Sequence, residues 1–435
     1  MLQNIIRNTL RGATEYREIN GWKVPRTSPD DLSLALKACR SAKPCDFGDT
    51  LAALTAIGRE GRWIGPEQLS ELASKTGSPV SFLRQAIGRV NAWLASLDEY
   101  VARFGRPFGS AGIRGTGLLF QGGPPTTMLL AGDSSALTAW ALGQALVSGC
   151  PLLVKPSNVE PLSAFLFCRA VLDKGVRAPN LLFLDSSVEA ERDLIRKALQ
   201  GSAQSVVYGE DATVLAVYGS FPLSPMHKPI PYWTGRSGAL VLPDADLSLA
   251  ARCIIVGATL DRGNLCNSTK KVFAPRALQG ALEQRLVSEA DGLCRGSPLW
   301  EGTGIGRLDP AARRMAEGNL AGSRVFYDRD LVLAEAHDAS PLLLEETPYP
   351  IVGVRYWDDG EDPVELANRT VRSTPSGRAL VMAVFTSSEE GYGRAASLRA
   401  FKLQRNAPTS DVDHLEMHQG MHLALELMRP VVYPG

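Results

Sequence analysis

The sequence predicts an α/β fold, and three observations carry that prediction. Short apolar strands alternate with longer helical patterns from about residue 117 onward. The strand lengths and the 10–15-residue spacers suit strand-helix-strand units and hence a parallel sheet. Gly- and Pro-rich punctuation closes the strands, as in Gly122-Gly123-Pro124-Pro125.

The elements follow in order. Beyond the first thirty residues the N-terminal hundred reads as mainly helical. Apolar residues fall at helical spacing over Asp49 to Gly58, Leu69 to Ala73 and Ser81 to Tyr100. Gly105 to Gly117 is rich in Gly and Arg and reads as a connector. Gly117 to Phe120 is a strand and Ser134 to Ser148 a helix. Pro151 to Val154 is a strand ending at Lys155-Pro156, and Leu162 to Lys174 a helix. Asn180 to Leu184 (strand), Glu189 to Gln200 (helix) and Ser205 to Tyr208 (strand) complete the first block. A second block runs through Ala239 to Leu242 (strand), Leu247 to Thr259 (helix), Lys271 to Ala274 (strand) and Ala277 to Leu293 (helix). Ile351 to Trp357 and Ala383 to Thr386 are further strands, and Glu389 to Phe401 is a closing helix. No internal repeat or low-complexity tract is present.

Composition narrows the function classes. The 435 residues are enough for two or three domains. Apolar residues at 45% and charged residues at 21% are those of an ordinary soluble chain. The 46 basic and 46 acidic residues cancel, which argues against nucleic acid or an anionic membrane as partner. No run has the length and apolarity of a membrane span, and the first residues do not read as a signal peptide. The seven cysteines are scattered, odd in number and free of Cys-x-x-Cys pairs. They predict neither a disulfide framework nor a zinc site, and so a cytoplasmic compartment.

One cysteine stands apart. Cys266 lies in Gly263-Asn264-Leu265-Cys266-Asn267-Ser268-Thr269-Lys270-Lys271, a short polar, Gly-led segment running into a β-prone stretch. An exposed thiol in such a loop is a candidate nucleophile, and the charges of Lys270 and Lys271 would favour its thiolate.

Several motifs, in one order, resemble the aldehyde dehydrogenase superfamily over residues 115 to 405. They are Leu152-Leu153-Val154-Lys155-Pro156-Ser157 with Pro161-Leu162-Ser163-Ala164, and Gly235-Arg236-Ser237 with Asp244-Ala245-Asp246. Cys266 follows Asp244 by 22 residues, the family spacing. Leu344-Glu345-Glu346-Thr347-Pro348-Tyr349-Pro350 and Ala367-Asn368-Arg369-Thr370 complete the set. The resemblance implies an aldehyde-dehydrogenase-like fold of two Rossmann-like α/β domains with a helical N-terminal region. The implied divisions are a helical region at 1–104 packed on the cofactor domain, a dinucleotide-binding domain at 105–233, a catalytic domain at 234–388, and a C-terminal segment at 389–435 returning to the cofactor domain. It makes Cys266 the nucleophile. Lys155, with Ser157 and Asn158, is placed on the adenosine ribose, Gly209 in the cofactor segment, and Glu346 on the nicotinamide ribose.

Departures from the family pattern carry information. Hydrolytic members place a glutamate base 34 residues before the cysteine, where this chain has Tyr232, and no Asp or Glu lies between Asp211 and Asp244. Water needs a base to attack a thioacyl enzyme, so reduction or transfer becomes the expected fate of the intermediate. Met128-Leu129-Leu130-Ala131-Gly132-Asp133 and Val206-Val207-Tyr208-Gly209-Glu210-Asp211 resemble the luminescence-type fatty acyl-CoA reductase branch. At Asp133 that family uses an asparagine whose amide donates to the oxyanion, whereas an ionised Asp only accepts. Asn267 or the Cys266 amide is the candidate substitute. NAD-specific relatives carry a glutamate three positions after the strand lysine; here it is Asn158, so NADPH is the expected cofactor, with NADH possible.

The expected reaction is reduction of an acyl thioester, on coenzyme A or an acyl carrier protein, to an aldehyde. The alternatives are an acyl-phosphate reductase of the glutamyl-phosphate type and an inactive, carrier-protein-binding homologue. A homodimer or tetramer is compatible with the resemblance. His414, His418 and His422 recur every four residues among Asp411, Asp413 and Glu416. Gly420 interrupts a metal-binding face there, and solvated or substrate-proximal histidines are the favoured reading. His227, just before the vacant base position, is a candidate proton donor or an ordinary loop residue.

Overall fold

The computed structural model describes residues 1–42, 47–99, 111–113, 116–132, 135–220, 222–411 and 417–434. It divides into two compact units. One comprises residues 1–75, 83–232 and 414–435, the other 76–82 and 233–413.

The first unit is built on a seven-stranded sheet. Its order is Lys228–Tyr232, Gln204–Tyr208, Thr126–Leu129, Leu152–Lys155, Asn180–Leu181, Asn4–Ile6, Thr9–Arg11. The first five strands run parallel and the last two pairings are antiparallel. The strand Lys228–Tyr232 escapes sequence reading because Pro229 and Pro231 lie within it. Proline is tolerated there because the strand is an edge, where a missing N–H breaks no central ladder. The first 25 residues form two small hairpins, Asn4–Arg11 and Tyr16–Pro25. The helix Ser135–Val147 is buried along its whole length, which explains its nearly uniform apolar sequence. Trp93 packs on it at Gly143, where an added Cβ would lie 2.8 Å from the indole ring.

The second unit holds another seven-stranded sheet. Its order is Arg324–Asp328, Val332–Glu335, Ile351–Trp357, Lys271–Pro275, Gly238–Val241, Ala379–Phe385, Ala400–Arg405. All neighbours are parallel except the first pair. Val272, Val352, Val354, Ala239 and Phe385 pack from the sheet onto Ala250, Ile254 and Leu286 of the covering helices. The helix expected over Glu389 to Phe401 stops at Arg394. Gly391 and Gly393 weaken it, and the chain re-enters the sheet at Ala400–Arg405. Residues 389–411 therefore stay with the second unit, in place of the expected return at 389. Val80 N–H donates to Pro298 O and Arg307 N–H to Gly77 O, which sews residues 76–82 to the same unit.

Candidate functional site

The cysteine loop is made by an abrupt helix end. Asp246 caps the helix Leu247–Thr259 by accepting from the Ser248 and Leu249 amides. Asp261 and Arg262 then adopt φ of 42° and 62°, and Gly263 one of 71°. Three successive left-handed residues turn the chain out of the helix and set up the Cys266 segment. Cys266 is half-buried and free of disulfide. Its carbonyl accepts from Ser237 Oγ at 3.2 Å, and Ser237 Oγ itself accepts from Val381 N–H. A Cβ on Gly235 would overlap the Cys266 carbonyl, so the close approach requires glycine.

The two lysines do not serve the thiol as expected. Lys270 Nζ donates to the carbonyls of Gly263, Thr347 (2.6 Å) and Tyr349 (2.8 Å), which uses all three of its protons. Lys271 Nζ donates to Leu343 O and Thr370 Oγ1. Burial pushes Lys270 down to about 8 and Lys271 down to about 7, and the Glu346 carboxyl opposes both shifts. The lysines thus clamp the 343–349 segment to the sheet, and Lys270 joins that segment to the cysteine loop.

Glu346 lies on this clamped segment. Its Oε2 accepts from the Arg236 amide at 2.8 Å. Burial raises its pKa, against the pull of the neighbouring lysines. Arg236 presents that amide from a left-handed φ of 50°. Asn267 is buried and donates one amide proton to Thr409 O at 3.4 Å, so its side chain is partly committed to the interior. Asp244 pins the 386–388 turn through Thr386 Oγ1, Ser387 N–H and Ser387 Oγ.

In the first unit, Lys155 and Asn158 meet at the carboxyl end of the strand Leu152–Lys155, the end at which open α/β sheets bind ligands. Lys155 Nζ donates to Asn158 Oδ1 at 3.1 Å, and Asn158 Nδ2 donates to Asp185 Oδ1 at 2.9 Å. Sequence reading missed Asp185; its signal was a lone carboxylate directly after the apolar run Asn180 to Leu184. Burial pushes Lys155 down to about 8, opposed by the Asp185 charge. Ser157 is buried: its Oγ accepts from Val159 N–H and backs Gly132, so it braces the turn. The N-terminal hairpin covers this turn, with Asn20 Nδ2 on Asn158 O and Trp22 Nε1 on Val159 O. Gly209 lies between the strand Gln204–Tyr208 and the helix Asp211–Ser220, and its amide donates to Tyr232 O.

Tyr232 is fully buried. Its ring stacks on Tyr208 at 4.2 Å and on His418 at 5.4 Å, and Trp140 meets His418 edge-on. His227 sits at the opposite end of that strand, about 16 Å away along the chain, with Nε2 on Ser205 Oγ and Nδ1 on Ser202 O. It braces the sheet there, which favours the ordinary reading of His227 over that of a proton donor. His422 is buried at the start of the helix Leu423–Leu427. Among the described residues no cluster could hold a metal ion. Asp133 and His414 lie outside the described residues, and no described helix is long and apolar enough to cross a membrane.

A sheet with a capped helix and a turned-out cysteine loop, and a second sheet ending in a Lys-Asn-Asp cluster, define a dehydrogenase-type fold. The aldehyde dehydrogenase family model matches residues 134–423, and the chain belongs to that family. Betaine aldehyde dehydrogenase 2 of Rhizobium meliloti is 26% identical over 257 residues, 54% of this chain and 52% of its own length. The chain thus spans about half the length of the curated relatives it matches. The fold is that of an oxidoreductase from Marinobacter aquaeolei (TM-score 0.84, 19% identity, 100% and 98% of the two chains). It is also that of an NAD-dependent aldehyde dehydrogenase from Sinorhizobium meliloti (TM-score 0.83, 17% identity, 99% and 94%).

Proposed function

We propose that this chain reduces an acyl thioester to an aldehyde through a thioacyl intermediate on Cys266. The supporting observation is the residue 34 positions before that cysteine. Tyr232 stands there, its ring fixed between Tyr208 and His418 and out of water. A phenol is no substitute for a carboxylate as a base at neutral pH. Glu346, the carboxylate on the clamped segment of the second unit, is held by the Arg236 amide. No carboxylate occupies the position of the hydrolytic base, so attack by water is slowed and the thioacyl enzyme lives long enough for another fate.

The Cys266 thiolate attacks the thioester carbonyl. The bond from that carbon to the carrier sulfur breaks, and the carrier thiolate leaves and takes a proton. A reduced nicotinamide dinucleotide, when bound, supplies one hydride to the thioacyl carbon. The oxyanion that hydride addition would leave collapses as the carbon–Sγ bond breaks, which frees aldehyde and returns the Cys266 thiolate. Lys155 and Asp185 offer donors and an acceptor that suit the diol of the adenosine ribose, and Glu346 is the candidate for the nicotinamide ribose. Gly209 fits less well, since Glu210 and Asp211 directly follow it with charges that oppose a diphosphate.

An acyl phosphate is disfavoured as substrate. The cations flanking Cys266 in the chain, Arg262, Lys270 and Lys271, are engaged with Thr76 O and the carbonyls named above.

The test supplies acyl-CoA of several chain lengths with NADH or NADPH, follows loss of the reduced-cofactor absorbance, and traps aldehyde as a hydrazone. Thioester-dependent turnover that vanishes in Cys266→Ala supports the reading. Oxidation of aldehydes to free acids with no thiol acceptor, faster than any thioester reduction, overturns it.

A further inference from the structure

We infer that Asp185 makes this chain selective for NAD(H) over NADP(H), although Asn158 had pointed to NADPH. The inference rests on the reading above that a nicotinamide dinucleotide binds at Lys155.

Loss of a carboxylate at position 158 is compensated in space. The Asn158 side chain bridges the Lys155 ammonium and the Asp185 carboxylate, at 3.1 Å and 2.9 Å. Asp185 follows the parallel neighbour of the Lys155 strand, so both groups emerge at the same sheet end. Three donors converge on one oxygen, Oδ1: Asn158 Nδ2, Ser187 N–H and Ser187 Oγ. Among the described residues no donor engages Oδ2, which leaves an acceptor for a ligand hydroxyl. Desolvation pushes Asp185 up, but the Ser187 bonds and the Arg17 and Lys155 charges outweigh it and hold the carboxyl below its usual range. It is therefore an anion at neutral pH.

Among the described residues, neither cation beside Asp185 is spare for a 2′-phosphate. Arg17 forms a bidentate pair with Glu191, whose Oε2 also accepts from the Asp185 amide. Lys155 faces Asp185 through Asn158. Two cations meet two carboxylates, and a phosphate added beside them would face the Asp185 charge. Like charges so placed repel, whereas a hydroxyl there donates to Oδ2.

The experiment measures NADH and NADPH dissociation constants on the full chain by fluorescence energy transfer from tryptophan. Competition by 5′-AMP and 2′,5′-ADP reports the adenosine end alone. The wild type is expected to bind NADH at least about tenfold tighter than NADPH, and 5′-AMP tighter than 2′,5′-ADP. Asp185→Asn keeps the shape, removes the charge and should shrink both ratios about tenfold; Asp185→Ser should do the same if the Asn variant folds poorly. Equal or tighter NADPH binding by the wild type overturns the inference. So do ratios unchanged in both variants. Binding of neither dinucleotide overturns the cofactor reading itself, a result distinct from a wrong preference.

Discussion

Replacing Lys270 by Met tests how the cysteine loop is held. Methionine keeps roughly the stem's length and removes the ammonium. Three buried carbonyls, of Gly263, Thr347 and Tyr349, then lose their donor. Charge-assisted bonds of this kind contribute about 1.5–3 kcal/mol each, a gross loss of roughly 4–9 kcal/mol. Against this, burial pushes Lys270 down to about 8, which corresponds to a charging cost of about 3 kcal/mol that the variant no longer bears. The net expectation is destabilisation of about 1–6 kcal/mol, read as a lowered urea midpoint. Lys270→Arg should recover part of it. The alkylation rate of Cys266 by iodoacetamide should change as well, because one of the three carbonyls belongs to its loop. The pH dependence gives a second readout. A lysine whose folded pKa lies below its unfolded value makes the folded state release its proton first. Stability then rises with pH between about 8 and the unfolded value near 10.4, and this rise should be shallower in Lys270→Met. A variant within about 0.5 kcal/mol of wild type, with unaltered alkylation and the same pH slope, would refute the clamp.

Gly235→Ala places a methyl where the Cys266 carbonyl lies, so the nucleophile must move. A displacement of about 1 Å is enough to lower turnover by about 10²-fold, and unchanged kinetics would show that the loop yields freely. Asp244 is held at about 2, chiefly by the Ser387 hydrogen bond, with Thr386 adding to it. A carboxyl depressed in the folded state contributes stability that is complete above the unfolded value near 4 and lost as pH falls towards 2. Acid unfolding followed by tryptophan fluorescence should show this loss in the wild type and a weaker one in Asp244→Asn.

The sequence was readable where local periodicity and packing agree. The helix Leu247–Thr259 with its Asp246 cap is local in origin, and so is the strand Ile351–Trp357, buried on both faces. It was unreadable where tertiary position overrides local preference. Pro229 and Pro231 argue against a strand until the segment is seen to be an edge. Lys270 and Lys271 look like solvated charges beside a thiol, because spacing cannot show that a carbonyl-lined interior will take them in. Asn158 reads as the loss of a carboxylate because Asp185 arrives from another strand, 27 residues on. The last two failures concern polar side chains whose partners are distant in sequence. The fold class rests on apolar period and survives such errors, whereas the site does not.

The segment Gly235-Arg236-Ser237 shows why Cys266 and Glu346 should be treated as one device. Three successive residues act on two distant loops. Gly235 admits the Cys266 carbonyl, Arg236 gives its amide to Glu346, and Ser237 gives its hydroxyl to the Cys266 carbonyl. A left-handed φ at Arg236 is unfavourable by itself, and such strain persists where the surroundings over-determine it. Here the surroundings are the Glu346 carboxylate on one side and the Gly235–Cys266 contact on the other. Relaxing that φ would swing the amide away from Glu346 and disturb the glycine that seats the nucleophile. Lys270 closes the same circuit from the far side, through Gly263, Thr347 and Tyr349. With two independent bridges between the loops, a change in either must be carried by the other. The reactivity of Cys266 and the placement of Glu346 are therefore set together.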